Sequence, residues 1–359
     1  MRSVLLAGPT SSDPAGRRAV LQAVQSVLPA RKVLEVTSPT PTRSVLDRAR
    51  SSDGIVFAGV PLHRLYPRAE GRRAVGTSPL RSLATAAAVA AAARRPLAAI
   101  GVTTGPVLGR PARQTVSRVV RRPDLLLIGD EESAGHLAAA GVPGPLRVAA
   151  DPAWAALLPS IRPATPGDAV VVVVDGRVGR KVEADLGAGL AAAARAGHRI
   201  RVLPWAGPGC GDGAMSWRLT RQLRSASPVP VEVETVPHDL GEAADRFAGA
   251  RVVVALRYRA IHAAAATGVP VIGVAVEARI PALAGRLGQP VLGPDRLASG
   301  LPVLIDQASP GTGPRPADVR AEVGRARTGL NLLRLMLDPS AVGAEELNCL
   351  PLVPVPWLS

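Results

Sequence analysis

Aromatic side chains are scarce in this chain of 359 residues: two Phe, two Tyr and four Trp. Single-stranded nucleic acid is bound largely by stacking on aromatic rings, so a nucleic-acid module is disfavoured. Lysine is scarcer still. Only Lys32 and Lys181 occur, and the rest of the positive charge is arginine. The two cysteines, Cys210 and Cys349, are far apart and outside any metal or redox spacing. Neither a zinc site nor a disulfide framework is expected. No apolar run has the length needed to cross a bilayer. The N-terminus reads as a strand that breaks at Gly8-Pro9, not as a secretory leader, so a cytoplasmic protein with free thiols is expected. There is no P-loop and no complete dinucleotide fingerprint, and no cofactor is expected.

What is present is charge of one sign. The formal net charge is +15. Such a balance suits an anionic partner: nucleic acid, acidic lipid or a phosphorylated sugar. The heavy use of Ala, Gly, Pro and Arg is also what a GC-rich genome produces. The arginines are scattered and form no single stripe. Peripheral contact with the inner face of a membrane is compatible with this pattern.

The chain reads outward from residues 247–290. Two short apolar runs, 251–256 and 269–275, flank an alanine-rich helical segment at 260–266 that Thr267-Gly268 closes. Strand, helix and strand in this order make the βαβ unit of an open parallel sheet. Ligands sit outside the carboxyl ends of such strands. Here that edge is Arg257-Tyr258-Arg259, two guanidiniums beside a helix N-terminus, a setting suited to an anion.

Elsewhere strands and helices alternate. Strands are expected at Ser3–Ala7, 55–58, 97–102 and 147–150, with helices between them. Asp130 is placed to cap a helix, and Asp151 ends a strand. The prolines and glycine of residues 163–168 read as a linker. The run 170–174 is continuously β-branched, as in a strand buried on both faces; Asp175-Gly176-Arg177 follows it. Residues 205–215 read as a glycine-rich loop, and 319–337 as an amphipathic helix. The apolar, Pro-rich residues 350–359 read as either packed on a surface or disordered. The expected fold is α/β, two Rossmann-like domains facing a cleft in the arrangement called GT-B. The expected divisions are 1–163, then 164–325 carrying the anion site, then a helix end and tail at 326–359.

The organising stretch resembles the C-terminal signature of the polysaccharide pyruvyl transferase family. Arg257, Ala260, Gly268-Val269-Pro270, Gly273 and Leu287-Gly288 match it as they stand, while Glu277 fills the family's Asp position and Arg279 its Lys position. Arg259 stands where the family has His. A second match runs through Asp130, Glu131 and Ser133, and a third is Asp151-Pro152-Ala153-Trp154. The glycine-rich loop of the family is thin here, with only Gly59 ahead of His63 and Arg64. The resemblance spans residues 95–290.

It implies transfer of a pyruvyl group from phosphoenolpyruvate to a sugar of a cell-envelope polysaccharide or glycolipid precursor. The donor's anions require cations, for which Arg257, Arg259 and Arg279, with Glu277 beside them, are the candidates. An arginine at 259 cannot donate a proton, since its pKa lies above ~12. His262 lies one helical turn on and is the candidate replacement, with Asp151 as the second catalytic candidate. Asp130 and His238 are further protonatable groups at loop ends. Two other readings stay open: a GT-B glycosyltransferase using a nucleotide sugar, and a non-catalytic member acting as a binding protein.

Overall fold

The computed structural model describes residues 3–7, 13–28, 32–36, 42–58, 62, 79–107, 109–163, 165, 167–207, 209–277, 279–338 and 352–353. The first half alternates as β1 (Ser3–Ala7), α1 (Pro14–Val27), β2 (Lys32–Val36), α2 (Arg43–Arg50), β3 (Gly54–Ala58), α3 (Pro79–Ala93), β4 (Leu97–Val102), α4 (Arg110–Val120), β5 (Leu125–Ile128), α5 (Glu131–Ala139), β6 (Leu146–Val148) and α6 (Ala153–Ala156). The second half runs β7 (Ala169–Val174), α7 (Arg180–Arg195), β8 (Arg199–Pro204), α8 (Asp212–Ala226), β9 (Val231–Val233), α9 (Leu240–Phe247), β10 (Ala250–Ala255), α10 (Tyr258–Ala266), β11 (Val271–Val274), α11 (Arg279–Arg286), β12 (Val291–Leu292) and α12 (Leu297–Gln307). Helix α13 (Pro316–Leu337) and the short strand β13 (Leu352–Val353) close the described chain.

The strands form two sheets. One has seven strands in the order β13-β6-β5-β4-β3-β1-β2, the other six in the order β12-β11-β10-β7-β8-β9. Every pairing is parallel except that of β13, which runs antiparallel to β6. The fold is α/β and Rossmann-like in both halves. The tail thus contributes an edge strand through Leu352 and Val353, a pairing that a two-residue apolar segment does not announce in sequence.

The central strands explain why helices cover both faces. β7 is AVVVVV and buried throughout, and all five valines and alanines of β10 are buried beside it. A strand apolar on both sides needs a helical layer above and below. In each sheet the chain winds outward from one strand, then crosses back past it: β1 lies between β2 and β3, and β7 between β8 and β10. These reversals are the switch points where the carboxyl ends of the strands open a crevice.

Three apolar clusters fill the molecule. One lies under α2 to α5 against the first sheet, and one under α7, α8 and α12 against the second. The third is shared. It joins α1, α6 and α13 to α9, α10 and α11, so the two halves meet through a common core. α13 leaves the second half and packs on the first, where Gly329 lies close to Ala149 and Leu127. Glu322 of α13, 1% exposed, accepts from Arg286 of α11 at 2.7 Å. Arg325, also paired with Glu322, reaches Glu131 of α5 at 3.1 Å.

Candidate active site between the two sheets

β7 ends in Asp175-Gly176-Arg177 and β10 in Leu256-Arg257, neighbouring strands at the switch point of the second sheet. Arg257 sits in extended conformation as the cap residue of α10. Its Nη2 donates to Asp212 at 2.6 Å and lies 3.3 Å from Asp175; its Nε donates to the Val174 carbonyl at 3.4 Å. Asp212, at the start of α8, is 0% exposed. It also accepts the backbone N–H groups of Gly176 at 2.8 Å, Trp205 at 3.1 Å and Ala206 at 2.8 Å. A buried carboxylate is tolerable only with this kind of saturation. Gly176 is required for steric reasons, since a Cβ there would lie 2.1 Å from the backbone carbonyl carbon of Gly211.

Arg177 grips Asp175 with two donors, Nε at 2.7 Å and Nη2 at 2.5 Å, and its backbone N–H adds a third bond at 3.0 Å. Burial alone would raise the Asp175 carboxyl, but the Arg177 bond and the Arg257 charge hold it below its ordinary range. The Arg177 side chain is 34% exposed, against 5% for Arg257. It is the guanidinium of this cluster that faces outward.

A second cluster crosses between the halves. Arg259, on the first turn of α10 and 6% exposed, donates from Nη1 to Asp13 at 3.0 Å and from Nη2 to Asp151 at 3.3 Å. Asp13 caps α1 through the Gly16 N–H at 2.8 Å and accepts from Trp205 Nε1 at 2.9 Å. Asp151 follows β6 and also accepts the Ala153 N–H at 2.9 Å. Desolvation, the largest single effect, would raise the Asp151 carboxyl; the Arg259 charge, with other nearby charges and the Ala153 N–H, outweighs it, and the group lies below its usual value.

His262 is on the same helix as Arg259 but does not reach the crevice. Its ring is 0% exposed, with its centroid 4.5 Å from that of Trp154 and 4.6 Å from that of Tyr258. Nδ1 lies 3.3 Å from the Tyr258 carbonyl, so Nδ1 carries the proton of the neutral ring. Burial pushes its pKa down to about 4. A general acid needs access and a pKa near the working pH, and this geometry offers His262 neither. The expectation of a proton donor at His262 is therefore revised: it is a core imidazole behind Arg259. Asp151, the second catalytic candidate, lies buried as a partner of Arg259. Arg279 stacks on Tyr258, 4.2 Å from the ring centre, and pairs with Glu277 at 3.1 Å. Beside it a small recess is lined by Thr104, Asp130, Glu132 and Ser133 of the first half.

Asp130 caps α5, as expected, by accepting the Ser133 N–H at 2.7 Å. His238 lies apart on the surface beside Arg18. His63 and Arg64 lie outside the described residues. Among the described residues no group of His, Cys, Asp and Glu could hold a metal ion.

The sequence model of the polysaccharide pyruvyl transferase family matches residues 19–277. The chain belongs to this family. Searching curated proteins returns no match. Among solved structures, this pyruvyl transferase family member is similar to the UDP-N-acetylglucosamine 2-epimerase of Rickettsia bellii, with a TM-score of 0.60 and 12% identity over 94% of this chain and 96% of that one. It is similar to Anabaena HepE in complex with UDP and glucose, with a TM-score of 0.58 and 14% identity over 94% and 100% of the two chains. The Acinetobacter baumannii MurG structure follows at a TM-score of 0.52 and 12% identity over 93% and 99%. At these identities the likeness shows the two-domain GT-B fold and no more.

Within this family member, the crevice residues that sequence reasoning passed over are Arg177, Asp175 and Asp212. Asp175 and Arg177 carried a usable signal, because they end a buried β-branched strand just as Arg257 does. Asp212 carried none. It sits at the end of a glycine-rich run, and only the fold turns it toward Arg257.

Proposed function

We propose that the protein transfers a pyruvyl group from phosphoenolpyruvate to a sugar diol of a cell-envelope polysaccharide or glycolipid precursor. The observation that carries this reading is the guanidinium pair at the switch point of the second sheet, Arg257 held from below and Arg177 facing outward, in a chain of this family. Phosphoenolpyruvate carries a phosphate and a carboxylate, and planar guanidiniums pre-set by carboxylates suit both. In the proposed reaction one sugar hydroxyl oxygen bonds to C2 of the donor. The second hydroxyl oxygen then displaces phosphate and closes the cyclic ketal. Of the two hydroxyl protons, one ends on the new methyl group and the other on the released phosphate. Arg177, Arg257 and Arg259 hold donor charge; Asp151 and His262 position Arg259 and its helix. Arg279, beside Glu277 on the crevice wall, is the fourth cation. No cofactor enters this scheme.

The test is phosphate release from phosphoenolpyruvate in the presence of diol-bearing glycans, with the product's mass checked for a ketal. No release with any such acceptor, together with no calorimetric binding of phosphoenolpyruvate, sinks the reading. A second reading, a nucleotide-sugar transferase, is favoured by the likeness to the UDP-bound HepE structure. Tight UDP binding without phosphoenolpyruvate binding would select it.

A further inference from the structure

Arg259 is already occupied, and its occupant comes from the other half of the molecule. Its one positive charge is shared between Asp13 at 3.0 Å and Asp151 at 3.3 Å. The two carboxylates are not equivalent. The Asp151 side chain is 4% exposed and fixed by the Ala153 N–H, whereas the Asp13 side chain is 16% exposed and lies at the start of α1. Asp13 reaches two donors of the second half, Arg259 and the indole N–H of Trp205. Trp205 in turn gives its backbone N–H to Asp212, the carboxylate that holds Arg257. One side chain of the first half thus ties together both arginine clusters.

The contact is shaped for closeness. A Cβ on Gly16 would lie 2.2 Å from Cδ of Arg259 and 2.2 Å from an oxygen of Asp13. Only glycine leaves room for the guanidinium to lie over the first turn of α1. Trp205 is 0% exposed, so the indole–carboxylate bond is partly shielded from water. Charge-assisted bonds in such surroundings are strong, and an incoming anion must compete with them.

We propose that Asp13 is an intramolecular competitor for the donor's anion, and so determines how tightly an anionic donor binds. This rests on the donor-site reading of the arginines given above. The Asp13 carboxylate occupies Arg259 and the Trp205 indole N–H. A donor phosphate or carboxylate takes its place, and the first turn of α1 is released from the second half. Donor binding and rearrangement of the two halves are then one event. The energy of the Asp13 contacts is subtracted from donor affinity.

The experiment uses calorimetry on the full chain with phosphoenolpyruvate, inorganic phosphate and UDP as separate probes. Asp13→Asn keeps an oxygen to cap the Gly16 N–H and removes the competing charge. It should bind whichever anion the wild type binds about tenfold or more tightly, the size expected for one charge-assisted bond. Trp205→Phe should tighten binding less, in the same direction, and keeps the test open if the first variant fails to fold. Adding Arg259→Gln to Asp13→Asn should abolish the gain. Tighter binding of phosphoenolpyruvate supports both the inference and the transferase reading. Tighter binding of UDP alone supports the inference while the transferase reading falls. Unchanged or weaker affinity in Asp13→Asn and Trp205→Phe overturns the inference, as does a wild type and variants that bind none of the three.

Discussion

Acidification should destabilise this protein through one residue, His262. Its ring is fully buried between Trp154 and Tyr258. Its pKa falls from an ordinary 6.5 to about 4, chiefly because burial disfavours the charged form. The unfolded chain therefore binds a proton at pH values where the folded one does not. The stabilising contribution is complete above about pH 6.5. It drains away as the pH falls toward 4 and is gone below that. Each pKa unit is about 1.4 kcal/mol, so the full loss is roughly 3 kcal/mol, of which about 2 is reached by pH 4.5. That window is informative because Asp151 and Asp175, whose carboxyls are depressed, lose their contributions only below their ordinary value of 3.8. The comparison is wild type against His262→Phe, which keeps an aromatic ring between Trp154 and Tyr258 and cannot titrate. Urea unfolding is followed at pH 7.5, 6.5, 5.5 and 4.5. The variant is expected to start less stable, having lost the bond to the Tyr258 carbonyl, and to lose about 2 kcal/mol less than wild type across the window. Parallel loss in the two proteins would show that His262 is not held neutral by the fold.

Other perturbations probe the crevice. Arg177→Gln should raise the dissociation constant of the anionic donor about tenfold and also lower thermal stability, because the buried Asp175 carboxylate loses its two guanidinium donors; equal binding by calorimetry would remove Arg177 from the site. Asp212→Ala strips four donors of their acceptor and leaves Arg257 paired only with Asp175 in a buried position. A loss of about 3–5 kcal/mol in chemical denaturation is expected, and a loss under 1 would contradict the buried network. Gly176→Ala drives a methyl group into the Gly211 backbone. It should destabilise the protein by roughly 2 kcal/mol or more and weaken donor binding, whereas the same change at Gly213, with open space around it, should be mild.

Much of the fold was written locally. The continuous valines of β7, the Thr267-Gly268 stop after α10 and the capping aspartate at 130 each act within a few residues, so period and cap chemistry reveal them. The same locality placed Arg257 at a strand end and Arg259 on the following helix. What those arginines meet was decided elsewhere. Asp13 and Asp212 stand 246 and 45 residues from Arg259 and Arg257, and nothing in the spacing forecasts either pair. His262 shows the limit most clearly. Sequence set it one turn beyond Arg259, on the same helix. Because α10 is buried over its whole length, that turn carries the imidazole into the shared core and away from the crevice. The chain alone determined which charges stand at the strand ends. Only the packing of one half on the other determined which of them are already paired, because burial and partner distance are properties of surfaces brought together, not of neighbours along the backbone.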